Sequence, residues 1–380
     1  VRNNLYTTSV VGSFPRPAFA VDAYEKHKKG EITKEELNAH LKDAVIIAIK
    51  EQEAAGVDVI TDGEQWRSSF VSFVGEKLKG FRHIYITELN PKGIEIMRQF
   101  KGPLTEWRAV ASDRLSDSPV ALDELTFAKR YTERPLKVTL PSPYLIMWET
   151  WHETISKPHY ATPEDLGAAF SKLIRSEIIR LRDAGASFIQ LDEPMLGDLI
   201  EADENEPDRY RRVIGMIYGQ KYRGFKNELA LARDLINEAV KGVDGVRIGM
   251  HMDRWPNPDS PKLGTGYEVL LPDVLDIRVK QYVVEYAAPG SGDPEKFVRH
   301  LPREKELGYG VIDVRTNRVE SPIEVVQRVG KISKYLDPDQ LWLNPDCGFA
   351  PGLYRKFDRS IAVEKLRAMV AAALELRKNH

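Results

Sequence analysis

Cysteine is nearly absent from this chain. Cys347 is the only one in 380 residues, which excludes an intramolecular disulfide and any Cys-rich zinc knuckle. A metal site must therefore draw mainly on histidine and carboxylates. Neither sign of charge dominates: 55 Lys and Arg face 57 Asp and Glu, the formal net charge is -2, and the footprint of a nucleic-acid binder is missing. Also missing is any apolar run approaching the roughly 18 residues that span a bilayer. The opening VRNNLYTTSVV has neither the basic nor the apolar region of a signal peptide. These absences predict a cytoplasmic protein whose partner is a small molecule, with no nucleic acid and no membrane. No low-complexity linker interrupts the chain, so residues 1–380 are expected to form one elaborated domain.

What is present is a strand and helix alternation. β-rich runs occur at 7–14, 57–64, 136–143, 187–194, 246–253, 280–287, 308–315 and 341–348. Most are followed by a segment with apolar positions at helical spacing: 33–55, 163–184, 225–241, 322–335 and 359–377, several opening on Thr, Ser or Asp as N-caps. Strands alternating with helices predict a parallel sheet, and eight repeats predict its closure into a single α/β (β/α)8 TIM barrel. Two segments break the pattern. Residues 76–135, with HIYITEL and EWRAVA, predict an inserted β-hairpin over one rim; the charged 198–224, with EADENEPDRYRR, predicts a long exposed rim loop.

In such barrels chemistry gathers where the C-terminal strand ends converge. Those ends here carry Ser13, Asp62 with Glu64, Ser142, Asp192 with Glu193, His251 with Asp253, Glu285, Arg315, and Asp346 with Cys347. Any one of them is explained by strand termination or helix capping; all eight together point to a site. His251, Glu285 and Cys347 offer one imidazole, one carboxylate and one thiolate from three strands, enough for three corners of a tetrahedral zinc site with an open position for substrate. Trp148 and Trp151, after the third strand, and Trp255, after the fifth, either wall a substrate pocket or pack.

The landmarks VVGSFPRP, DGEQWR, IQLDEPML, HMD, VVEYA and NPDCGF, in that order, resemble the catalytic C-terminal barrel of the cobalamin-independent methionine synthase family over about residues 7–377. The chain looks like a single-barrel relative. The resemblance implies zinc held by His251, Glu285 and Cys347, with Ser13, Glu64 and Asp192 holding the amino and carboxylate groups of an amino-acid thiol such as homocysteine. It implies methyl transfer to sulfur, a metal-bound thiolate being the nucleophile. The methyl donor would be a folate or a methyl-corrinoid protein.

Two positions depart from the family pattern. Asp253 stands where the H-x-C cysteine is expected. It either completes a His251, Asp253, Glu285, Cys347 set hard enough to admit Fe2+ or Mn2+ beside zinc, turns away, or pairs with Arg254. Arg315 stands where the family has a histidine associated with proton transfer at the donor. It cannot act as acid or base near neutral pH, but it can serve catalysis by holding an anion; alternatively it pairs with Asp313 or Glu285. These departures leave two rivals to methyl transfer. One is a metal-dependent alkyltransferase or lyase that makes or breaks a C–S bond on an anionic thiol coenzyme, as epoxyalkane:coenzyme M transferases of this superfamily do. The other is a non-catalytic relative.

Overall fold

A computed structural model describes residues 5–69, 71–98, 107–254, 266–350 and 357–378. Its first two regular strands, β1 (Phe81–Tyr85) and β2 (Trp107–Ala111), pair antiparallel and form the ribbon expected within 76–135. Six parallel strands follow in sequential order: β3 (Lys137–Pro141), β4 (Phe188–Asp192), β5 (Arg247–Met252), β6 (Gln281–Val284), β7 (Glu306–Ile312) and β8 (Leu341–Pro345). The two remaining predicted strands contribute single parallel bridges, Thr8 to Leu343 of β8, Ser9 to Val59, and Ile60 to Leu136 at the foot of β3. Hydrogen bonding therefore passes from strand to strand in a full circuit.

Packing agrees with that circuit. Val59, Phe188 and Trp342 form their own small cluster although they come from three strands that are not neighbours, with the Phe188 and Trp342 rings 5.8 Å apart. Side chains from alternate strands meet this way only inside a barrel, where they stack in layers. All five residues of β4 are buried, as expected of a strand covered on both faces.

The helices follow from their caps and spacing. Pro163–Asp183 opens on a Thr162 capping box closed by Asp165, has Pro at its first position, and buries Leu166, Phe170, Ile174, Ile178 and Leu181 along one stripe. Lys34–Ala55, Phe225–Val240, Pro322–Ile332 and Arg359–Arg377 likewise occupy the segments predicted for them. Among the described residues no helix is long and apolar enough to cross a membrane.

The 198–224 connection is not an open loop throughout. Residues Arg209–Tyr218 form a helix capped by Asp208, whose carboxylate accepts from the Arg211 amide at 2.9 Å, and Gly219 ends it at φ 74°. Arg211 is buried, paired with Asp208 and bonded to the Tyr144 hydroxyl at 2.8 Å, while Val213, Ile214, Ile217 and Tyr218 pack inward. The acidic stretch before Asp208 masks a short amphipathic repeat after it, which is why its charge pattern reads as loop.

The β1–β2 ribbon is rooted on the C-terminal side of the barrel. Arg108 of β2 faces Glu149 at 3.6 Å on the helix Pro143–Thr150, which directly follows β3, and Ser156 donates to the Ala111 carbonyl at 2.6 Å.

Candidate metal and substrate site

Parallel pairing in register sets Asp192, the last residue of β4, directly beside His251 of β5, and His251 beside Val283 of β6. His251 Nδ1 lies 3.2 Å from the Val283 carbonyl, which can only accept; the Nδ1 proton is thereby fixed and the Nε2 lone pair faces inward. Nε2 is buried and has no hydrogen-bond partner. Burial lowers the His251 pKa, which favours the neutral imidazole a metal requires. Two residues on, Asp253 Oδ2 accepts from Cys347 Sγ at 3.0 Å. His251, Asp253 and Cys347 each offer a donor atom within 4.8 Å of the others, and all three are buried. An orphaned imidazole nitrogen beside a carboxylate and a thiol is a donor set that zinc fits.

Asp253 thus faces the site and neither turns away nor pairs outward. Glu285 does not join the compact group. Its Oε2 accepts from an Arg315 guanidinium nitrogen at 2.6 Å, and the same nitrogen reaches the Arg254 carbonyl at 3.3 Å. Burial raises the Glu285 pKa to about 8, against the opposing pull of Arg315. Of the two readings open for Arg315, ion pairing with Glu285 is the one realised, and its charge is already matched.

The expected substrate groups converge on the same end. Ser13 Oγ accepts from the Ala350 amide at 3.3 Å, and Gly348, next to Cys347, leaves it room: a Cβ there would fall 2.2 Å from Ser13 Oγ. Glu64 lies in a turn whose φ is positive at both Gly63 (71°) and Glu64 (55°), with the Glu64 amide bonded to Asp62 Oδ1 at 2.9 Å. The left-handed backbone at a non-glycine residue is costly and here aims the carboxylate inward. Its Oε1 accepts from Thr139 Oγ1 at 2.7 Å and stands 3.8 Å from Arg67. Asp192 accepts from Gln190 Nε2 at 2.7 Å, and its pKa is driven well above the carboxylate range by burial and then by the Glu64 and Asp253 charges. Three carboxylates sharing a buried space call for cationic company.

Trp148 does not belong here. Its indole is buried in the helix Pro143–Thr150 and donates to Glu228 at 3.3 Å, with Arg211 and Arg223 over its ring. Trp151 is likewise packed, donating to the Tyr160 carbonyl at 3.2 Å; Trp255 lies outside the described residues. An 840 Å³ hollow lined by Thr7, Asp58, Arg130 and Pro135 sits at the opposite end of the strands, away from these groups.

Other positioning residues give no simple sequence signal. Arg16 donates to the Glu64 and Arg67 carbonyls at 2.9 and 2.6 Å, and Arg67 is locked to Glu124 at 2.7 Å and to Thr139 at 2.8 Å. Asp346 accepts from the amides of Tyr286, Ala287 and Ala288 at 2.9, 2.8 and 2.7 Å, fixing the chain that leaves Glu285 against the residue before Cys347. Beneath Asp192, Lys137 Nζ is buried, bonded to the Val10 carbonyl at 2.7 Å and to Gln190 Oε1 at 3.1 Å; burial lowers its pKa to about 7.

The catalytic-domain model of the cobalamin-independent synthases matches residues 5–214 and 265–375. The chain belongs to this family. Methionine synthase of Pyrococcus abyssi (strain GE5 / Orsay) is 32% identical over 379 residues, covering 98% of this chain and 93% of that protein. That of Sulfurisphaera tokodaii is 32% identical, covering 96% and 90%. Among solved structures, a B12-independent methionine synthase from Shewanella sp. W3-18-1 shares the fold at TM-score 0.72 and 21% identity, with 99% of each chain covered. The resemblance seen in the motifs is thus confirmed, and the chain is an enzyme, a methyltransferase. The family match skips 215–264, the stretch that holds His251 and Asp253.

Proposed function

We propose that the protein transfers a methyl group to the thiol of homocysteine or a close amino-acid thiol, using zinc held by His251, Asp253 and Cys347. The observation that carries this reading is the buried three-donor group, lying within 4.8 Å at the strand ends beside Ser13, Glu64 and Asp192. The likeness to methionine synthases along nearly the whole chain supports the reaction. The bound cation supplies one thing, a lowered thiol pKa and hence a thiolate near neutral pH. Asp253 in place of a second cysteine makes the donor set harder, so Fe2+ or Mn2+ are alternative occupants.

The protein's own groups bind and orient the substrate. Glu64 and Asp192 form an acidic corner suited to the substrate ammonium, whose positive charge would offset the burial and the neighbouring Glu64 charge that raise the Asp192 pKa. Ser13 Oγ, already accepting from Ala350, retains its own proton to donate to the substrate carboxylate. The ribbon within 76–135, rooted on the helix after β3, is read as a lid that excludes water. The anionic-coenzyme alternative loses its main support, because Arg315 is taken by Glu285.

The test is metal analysis of the purified protein and of Cys347→Ser, followed by methylation of homocysteine with methyltetrahydrofolate and, separately, with methylcobalamin. Stoichiometric metal in the parent, its loss in Cys347→Ser, and methionine formed from one donor are expected. No metal in either protein after loading would remove the mechanism; metal present but no methionine from either donor would redirect it to C–S lyase chemistry.

A further inference from the structure

Arg67 lies between two carboxylates, Glu64 of the proposed substrate corner and Glu124 of the helix Leu122–Ala128. All three side chains are buried. The guanidinium is committed to Glu124 and Thr139. Nε and Nη2 both donate to Glu124 Oε2, at 3.0 and 2.7 Å; Nη2 donates also to the Thr139 carbonyl at 3.0 Å, and Nη1 to Thr139 Oγ1 at 2.8 Å. The Phe73 ring covers one face at 4.2 Å. Glu64 Oε1 stands 3.8 Å from Nη1, beyond hydrogen-bond distance. Because Nη1 can only donate, Thr139 Oγ1 gives its own proton to Glu64 Oε1, 2.7 Å away. Glu64 is therefore oriented by a neutral hydroxyl, while the cation next to that hydroxyl is matched by Glu124. Among the described residues Glu124 Oε1 is buried without a partner, so this side chain serves Arg67 alone. A buried ion pair adds little net stability, and stability does not account for this one.

We propose that Glu124 keeps the charge of Arg67 off Glu64, so that Glu64 meets the substrate ammonium as a full anion and the site selects α-amino substrates over deaminated ones. The inference rests on the reading of Glu64 as a holder of the ammonium, and deepens it by naming what sets that selectivity. Without the Glu124 charge, Glu64 would become the leading anionic neighbour of Arg67. The two would pair across a space with little water to screen them, and an ammonium would have to compete with a guanidinium already in place. Glu124 is thus a positioning residue. It acts on the ammonium through Arg67 and Glu64 without touching the substrate.

Calorimetric titration of the full chain with L-methionine, the proposed product, and with γ-(methylthio)butyrate, which lacks only the amino group, tests this. It is run at about pH 8, above the value of about 7 to which burial raises the Glu124 pKa. The parent should bind methionine at least about tenfold tighter than the deaminated analogue. Glu124→Gln keeps the size of the side chain and one acceptor for Arg67. It should lose about tenfold in methionine affinity and change by less than about threefold toward the analogue, with circular dichroism unaltered. Adding Arg67→Met removes the unmatched cation and should restore methionine affinity to within about threefold of the parent, which a packing defect at Glu124 would not allow. A folded Glu124→Gln that keeps the parent's preference, or weakens equally toward both ligands, overturns the inference and leaves the reading of Glu64 standing. A folded double variant that binds methionine no tighter than Glu124→Gln overturns it too. If the parent itself binds the two ligands alike, Glu64 holds no ammonium, and the underlying reading fails together with the inference.

Discussion

At the scale of single residues, the proposed substrate groups depend on glycines as much as on their own side chains. Gly348 lets Ser13 Oγ lie against the loop bearing Cys347, and Gly12 does the same for Glu64, since a Cβ there would stand 2.3 Å from Glu64 Oε1. Gly348→Ala should raise the KM for the thiol by about tenfold or more while circular dichroism stays unchanged, because the clash falls on the hydroxyl proposed to hold the substrate and on no packed helix. An unaltered KM would detach Ser13 from the substrate. That Ser13, Glu64, Asp192, His251, Asp253 and Cys347 gather at one end was legible in the sequence, because each lies at or just past the end of a predicted strand and barrel strands end at one place. Glu285 closes a strand too, yet its partner is set by Arg315, thirty residues on, and no spacing rule conveys such a pair. Trp148 misled for a related reason: a tryptophan just past a strand looks like a pocket wall, but its neighbours Tyr144, Leu145 and Met147 are all buried with it.

Between elements, the decisive contact joins the helix Pro194–Asp198 to the end of β5. Gly197 packs so closely that a Cβ would stand 1.8 Å from the Asp253 carbonyl, and backbone on both sides leaves nothing to yield. Gly197→Ala should therefore displace Asp253 and weaken zinc binding by about tenfold or more, read by chelator competition, with helical content retained. Affinity equal to the parent would mean that Asp253 contributes little to the ion. Most elements were readable from periodicity and caps, Thr33, Thr162, Ser321 and Asp358 each marking a helix start. The helix Arg209–Tyr218 was not, because its inward arginine, paired with Asp208 within the same turn, is also bonded to Tyr144, a partner that only the folded chain brings near. The first two barrel strands contribute only single bridges, a length of pairing that alternation alone does not specify.

Over the whole molecule, a store of carboxyl groups titrates far above the usual range, and this gives stability a definite pH dependence. Burial raises Glu193 and Glu124 to about 7 and Asp346 to about 6. An acid whose folded pKa exceeds its unfolded value holds its proton in the fold while the unfolded chain releases it, so stability declines as pH climbs between the two values. For Glu193 that window runs from the ordinary glutamate value of 4.5 to about 7; across it the metal-free protein should lose stability, up to about 3 kcal/mol for this group alone. Glu193 is fully buried, hydrogen-bonded by Ser142 and distinct from the three proposed metal donors. Glu193→Gln removes the titration and keeps an oxygen for Ser142 to bond. In urea unfolding of the metal-free protein, it should match the parent near about pH 5 and exceed it near about pH 8. A parent whose stability instead rises from the lower pH to the higher, or a variant whose advantage does not grow with pH, would show that Glu193 ionises as readily in the fold as outside it.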